Sequence, residues 1–312
     1  MILLRRGEVF KERKGILNDA VTDTWVGQLR KATRHLIWAG CILTTAITFV
    51  TSGTTLSSPS SSANKYQNSI SLPAHSLGKQ VNADLRIAFL SDVHIDESRS
   101  SLARLELVVS EILENKPDLI LLAGDFVSTA NSEGVERELR IQFLKTVEQL
   151  THHQAYAVLG NHEHWGNAGD WVTRLNEAGI KTLDNATKVV RTQGTSICLR
   201  GLGDYYSGKY RKIEFPEPCQ GLPRVTFTHD PAAAFQPGVE GLILAGHTHC
   251  GQVSIPFVGP LWAPTEAPRE AWCGLYQDEL RTLWTSSGVG TSILPIRLGA
   301  PSQWDLIEIG PR

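Results

Sequence analysis

A layered α/β sandwich behind an N-terminal membrane segment is the fold the sequence predicts, and three observations predict it. Short apolar runs ending in polar or glycine residues alternate with amphipathic stretches between residues 85 and 178. From about 180 to 310 the apolar runs come closer together, with fewer helical stretches between them. Upstream, a charge-free apolar run at 36–50 follows a basic leader.

The elements follow in chain order. Residues 1–34 hold eight Lys/Arg and four Asp/Glu, a net +4 in a chain of net charge −2, which leaves −6 for the remainder. The basic excess belongs to a segment 1–35 that precedes LIWAGCILTTAITFV at 36–50. Fifteen strong apolar positions fall short of the ~20 that a spanning helix needs. The flanks strengthen the case, because Arg30, Lys31 and Arg34 precede the run and no charge follows until Lys65. We therefore expect a membrane anchor or signal segment over 36–51, with the N-terminus cytoplasmic and the rest of the chain outside. The Ser-, Thr-, Asn- and Gln-rich stretch 52–83 reads as a tether. Residues 84–312 are long enough to bury a full core.

In that body, strands are expected at 85–90, 119–123, 155–159, 225–228, 242–245 and 304–309. Helices are expected at 102–114, 133–150 and 171–178. The first three strand–helix units imply parallel strands with right-handed crossovers. The later half reads as a second sheet packed on the first. Near-balanced charge gives no sign of nucleic acid as a partner. Five scattered cysteines without a CxxC pair argue against a disulfide framework or a thiolate zinc site. The pair Cys250 and Cys273 could bridge if the domain is extracytoplasmic.

Potential metal ligands stand at the strand ends. They are Asp92 and His94 after the first strand, Asp125 after the second and Asn161 after the third. His229 follows the fourth, and His247 and His249 follow the fifth. Ligand sites in open α/β sheets lie beyond the carboxyl ends of strands. Asp92/His94 and His247/His249 are i, i+2 pairs, which extended backbone points to one side. Gly124, Gly160 and Gly246 precede ligands, where glycine allows a tight turn. Seven N/O donors exceed what one divalent ion needs. They suit two ions ~3.5–4 Å apart sharing a bridging carboxylate and an activated hydroxide. Each motif alone is a common solvated turn or helix cap; five in order are not.

The series DxH, GD, GNHE, H and GHxH resembles the signature of the calcineurin-like metallophosphoesterases, and it spans Asp92 to His249. Within that superfamily the stretches GHTHCGQVSIPFVGP and SSGVGTSILPIRLGAPSQWDLIEI look like the bacterial YaeI/YkuE-type phosphodiesterases. The resemblance implies a four-layer α-β-β-α sandwich. It implies one cation on Asp92, His94, Asp125 and His249, and another on Asp125, Asn161, His229 and His247. It makes His162 a catalytic residue that faces substrate, stabilises transferring charge and protonates the leaving oxygen. Glu163 would orient His162 by accepting a hydrogen bond. Two departures are Cys250, where relatives more often carry Gly, and Glu163, where Asp is a frequent alternative.

The all-N/O donor set suits Mn, Fe, Zn, Ni or Co; the resemblance puts manganese first. His164 and Trp165 fit a pocket rim, and Tyr205 and Tyr206 a loop over the site. The expected function is a membrane-tethered dinuclear phosphohydrolase cleaving a phosphodiester or pyrophosphate bond with metal-activated hydroxide. Its rivals are a phosphomonoesterase, a UDP-2,3-diacylglucosamine-type pyrophosphatase and a non-catalytic metal-binding scaffold. The sequence leaves oligomeric state and substrate identity open.

Overall fold

Every second residue of Leu85–Leu90 faces a different neighbour, and that alternation decides the architecture. Ile87 and Phe89 enter one buried cluster while Ala88 and Leu90 enter another, as the period-two geometry of a strand requires. A computed structural model describes residues 65–77, 85–130, 132–192 and 195–310. The basic segment 1–35 and the expected membrane segment 36–51 lie outside the described residues. Among the described residues no helix is long and apolar enough to cross a membrane.

The strands, in chain order, are β1 (Gln67–Pro73), β2 (Leu85–Leu90), β3 (Leu119–Ala123), β4 (Ala155–Val158) and β5 (Lys181–Thr182). Next come β6 (Ala186–Arg191), β7 (Ser196–Gly201), β8 (Arg224–Phe227) and β9 (Gly241–Ala245). A two-stranded hairpin of β10 (Ser254–Ile255) and β11 (Gly259–Pro260) follows, then β12 (Gly274–Gln277), β13 (Arg281–Thr285) and β14 (Trp304–Gly310). The helices are α1 (Arg99–Glu114), α2 (Glu133–Val147), α3 (Asn161–Trp165) and α4 (Ala168–Glu177). Ser98, Ser132 and Asn167 start α1, α2 and α4 by accepting from Ser101, Val135 and Asp170 backbone N–H groups, which satisfies donors that a helix leaves open.

Two six-stranded mixed sheets result, ordered β1-β14-β2-β3-β4-β5 and β12-β13-β9-β8-β7-β6. The runs β2-β3-β4-β5 and β7-β8-β9-β13 are parallel, and β14 pairs antiparallel with β2. Between the sheets one core joins Leu85, Ile87, Phe89, Leu121 and Val158 to Leu199, Val225, Phe227 and Leu244. On the far side of the first sheet, Val108 and Ile112 of α1, Phe143 of α2 and Trp171 of α4 cover Ala88, Leu90, Ile120 and Leu122. Full burial of such side chains stabilises by about 1.5–3 kcal/mol each.

Three features differ from expectation. The second sheet's outer face is not covered by an α-helix among the described residues. Short 3-10 turns, Pro231–Phe235 and Arg269–Ala271, supply Ala232, Ala233, Ala234 and Ala271 against Ile243 and Leu283. Pro231, Pro237, Pro264 and Pro268 punctuate this stretch and stop any longer helix. Part of the expected tether is the edge strand β1, paired parallel with β14 over seven positions. The Glu111 carboxylate fixes its entry by accepting from Lys65 N, Tyr66 N and Trp304 Nε1. Finally, two disulfides are present where no framework was expected: Cys198–Cys219, which was not foreseen, and Cys250–Cys273, the pair named as able to bridge, with Cα–Cα separations of 5.4 and 4.7 Å. The first joins β7 to the loop before β8, a juxtaposition that linear spacing does not reveal.

Candidate metal centre

The loops that follow β2, β3, β4, β8 and β9 converge, and each brings the side chains the sequence marked. Asp92, His94, Asp125, Asn161, His229, His247 and His249 are all buried. Five of them hold left-handed backbone: Asp92 (φ 52°), His94 (45°), Asp125 (54°), His247 (67°) and His249 (51°). Such conformations cost about 1–3 kcal/mol each on non-glycine residues and persist only where surroundings dictate them. Here the loops dictate one another. Asp92 N donates to Gly124 O, His94 N to Asp125 O and Gly246 N to His229 O. Close approach explains two glycines. A Cβ on Gly160 would lie 2.3 Å from Asp125 Oδ1, and one on Gly246 would lie 2.5 Å from Asp92 Oδ2.

Asp125 is central. Its Oδ2 lies 3.5 Å from His94 Nε2, 3.3 Å from His229 Nε2 and 3.8 Å from His162 Nε2. Its Oδ1 accepts from His162 N at 2.9 Å. To one side, His249 Nε2 sits 3.1 Å from His94 Nε2 and 3.5 Å from Asp92 Oδ1. To the other, His229 Nε2 sits 3.2 Å from Asn161 Oδ1 and 3.0 Å from His247 Nδ1. Three overlapping donor groups follow: Asp92–His94–His249, His94–Asp125–His162 and Asp125–His229–His247.

The ring nitrogens indicate what this arrangement lacks. His229 Nδ1 lies 2.7 Å from Ala123 O, and His247 Nε2 lies 2.7 Å from Pro264 O. A carbonyl only accepts, so both nitrogens carry the proton. With both rings neutral, that leaves His229 Nε2 and His247 Nδ1 as lone pairs facing each other at 3.0 Å. A shared cation or proton relieves such a clash, and backbone-anchored imidazoles are the usual form of metal-binding histidine. The donor set therefore fits divalent cations.

Titration follows the same packing. Burial alone would raise the Asp125 carboxyl, but the His229 and His162 rings outweigh it and hold it well below the usual carboxylate range. Burial works against protonating His229, yet the Asp125 carboxylate holds it well above the ordinary imidazole value. Burial drives His94 down to about 3 and His249 well below its ordinary value.

Glu163 departs from its expected role. It is fully buried and does not touch the His162 ring. Oε2 accepts from Asp125 N (2.8 Å) and Gly160 N (2.9 Å), and Oε1 accepts from Phe126 N (2.8 Å). Burial and the Asp125 charge push Glu163 up to about 8, against these three donors. His162 instead lies near the surface, with Nδ1 3.3 Å from Thr129 Oγ1.

An aromatic rim lies over this ring. Trp165 lies 5.0 Å from His162, and Tyr206 lies 4.7 Å from His247. Tyr205 turns away, its hydroxyl donating to Glu266 Oε2 at 3.3 Å. His164 lies 3.7 Å from the Asp184 carboxylate. Sequence reasoning missed Thr129 and Arg297, whose Nη2 sits 3.1 Å from His249 Nδ1. Thr129 lies four residues beyond Asp125 in the same loop but outside its motif, and Arg297 reaches the site from a loop without a ligand motif.

The model of the calcineurin-like phosphoesterase family matches residues 85–251. Phosphodiesterase YaeI of Escherichia coli (strain K12) is 32% identical over 238 residues, covering 73% of this chain and 83% of YaeI. A transmembrane protein with metallophosphoesterase domain from Danio rerio is 28% identical over 254 residues. That match covers 75% of this chain, which spans 55% of the zebrafish protein's length. Among solved structures, a 5'-nucleotidase precursor from Thermus thermophilus aligns with a TM-score of 0.44 at 16% identity. It covers 72% of this chain and 55% of its own.

Proposed function

The chain belongs to the calcineurin-like phosphoesterase family, whose members hydrolyse phosphoesters at a pair of divalent cations, and from that premise we propose that it cleaves a phosphodiester or pyrophosphate bond. One cation would be held by Asp92, His94, Asp125 and His249, and the other by Asp125, Asn161, His229 and His247. Manganese is the metal we assign. The observation that supports this reading is Asp125 Oδ2 lying between His94 Nε2 and His229 Nε2 at 3.5 and 3.3 Å. When bound, the cations would serve as Lewis acids that activate water and share the phosphoryl charge.

The chain's own residues supply the rest. Asp125 joins the two halves of the donor set. Asn161 and His229 are held side by side by the Ala123 carbonyl and the turn at Gly160. His162, near the surface and steadied by Thr129, is placed to hold a proton at Nε2 and deliver it to the leaving oxygen. Trp165 and Tyr206 offer apolar faces to the leaving group. The body is tethered by the 36–51 segment on the extracytoplasmic side. Reporter fusions placed after residue 83 test that sidedness, and activity of a cytoplasmic reporter alone would refute it.

Purified full-length protein is assayed with bis-p-nitrophenyl phosphate against p-nitrophenyl phosphate; a clear preference for the monoester overturns the bond assignment. His162→Ala should lose roughly 100-fold or more in turnover while bound metal stays near two per chain. Turnover at the wild-type rate would remove His162 from the chemistry.

A further inference from the structure

Exposed apolar side chains concentrate in one place. Of fourteen large exposed hydrophobics among the described residues, eight fall in two loops, 257–262 and 293–298. Phe257, at the tip of the β10–β11 hairpin, is 109% exposed, and Ile293 is 87% exposed. Val258, Trp262, Ile296 and Leu298 add to the same surface. The loops are bound to each other: Ser254 N donates to Leu298 O at 2.7 Å, Leu298 N to Gln252 O at 2.8 Å, and Gln252 Nε2 to Leu294 O at 3.0 Å. They are also rooted on the site. Gln252 N donates to His249 O, and Arg297 approaches the His249 ring.

Two further observations choose the occupant. No charged residue lies between 250 and 264 or between 282 and 296. No hairpin residue is itself charged, although the Arg269 guanidinium donates to Val258 O and Pro260 O at 3.0 Å; an exposed tip is a shape that inserts, whereas a groove is a shape that receives. Upstream, the charge-free run at 36–50 is separated from Lys65 by fourteen residues, a reach of at most about 50 Å. If that run enters a bilayer, Lys65 stays within this distance of its surface.

We infer that the 253–262 and 291–298 loops form a bilayer-docking face that seats the site against the membrane the chain is tethered to. Contiguous exposed patches of this kind mark protein or membrane contacts, and Trp262 and Phe257 suit the interface between headgroups and acyl chains.

The test uses the full-length chain in vesicles of phosphatidylcholine and phosphatidylglycerol, with and without dibrominated acyl chains, which quench nearby tryptophan. Wild-type emission should lose a component that Trp262→Phe lacks. The Phe257→Ser/Ile293→Ser double variant should reduce that component roughly threefold or more while keeping bis-p-nitrophenyl phosphate turnover within about twofold. Equal quenching of wild type and Trp262→Phe overturns the inference, as does crosslinking of a second copy, or of the 36–51 segment, to residue 257. Quenching needs no turnover, so its failure is separable from failure of the hydrolase reading.

Discussion

Replacing Glu163 tests how the site is held together. Its carboxylate takes three backbone N–H groups from two loops, and no other acceptor among the described residues serves Asp125 N, Phe126 N or Gly160 N. A buried amide left without an acceptor costs about 1–3 kcal/mol. Glu163→Ala strands three, on the order of 3–9 kcal/mol, which compares with the roughly 5–15 kcal/mol that holds a whole domain folded. That variant is expected to misfold or lose its metal. Glu163→Gln is the sharper probe. Its oxygen can keep Asp125 N and Gly160 N, but its nitrogen only donates and faces Phe126 N. One lost acceptor predicts about 1–3 kcal/mol, or a melting temperature lower by about 2–12 °C at about 2–4 °C per kcal/mol. Because Asp125 hangs from the same carboxylate, turnover should fall at least about tenfold with His162 intact. Thermal unfolding by circular dichroism, metal analysis and turnover are measured together. Unchanged melting temperature and unchanged turnover in Glu163→Gln would refute the view that this side chain sets Asp125.

Other expectations follow from single contacts. Asp305, fully buried in β14, has its carboxyl raised by burial although Asn68 and Gln303 donate to it. A raised folded value means its contribution is full below the unfolded carboxylate range and is lost as pH rises. Asp305→Asn should therefore flatten the decline of stability above about pH 4, read by urea midpoints from pH 4 to 8; an unchanged slope counts against the assignment. Opening Cys198–Cys219 by a double Ser substitution frees a loop of sequence separation 21 and should cost about 3 kcal/mol, seen as a lower urea midpoint. Gly160→Ala should abolish metal retention, because its Cβ would meet Asp125 Oδ1 at 2.3 Å; a variant with full metal content would contradict this packing.

What the sequence disclosed and what it hid divide along physical lines. Strands β2, β3, β4, β8, β9 and β14 were legible because each is a short apolar run closed by a turn residue, and ligands mark the first five of those closures. The β1 strand was not, because its serines and asparagines match a tether's composition. Only the alternating Ile70 and Leu72 hint at pairing. The Cys250–Cys273 bridge was a named candidate, whereas Cys198–Cys219 was hidden because tertiary packing alone brings its two segments together. The short turns over the second sheet carry no helical period to detect. Glu163 was noticed, but three amide donors from folded loops, rather than a neighbouring ring, decide what it does. Arg297 sits 48 residues beyond His249, and no local pattern links them.

The place where β1 joins the sheet also governs how the protein can be cut. A recombinant fragment beginning at residue 84, where composition suggests a boundary, would strip seven paired positions from β14. It would leave a bare strand margin, ready to recruit a neighbouring chain. Fragments that start ahead of Lys65 keep that margin closed, so the safest cloning boundary lies inside the serine-rich stretch and not at its end.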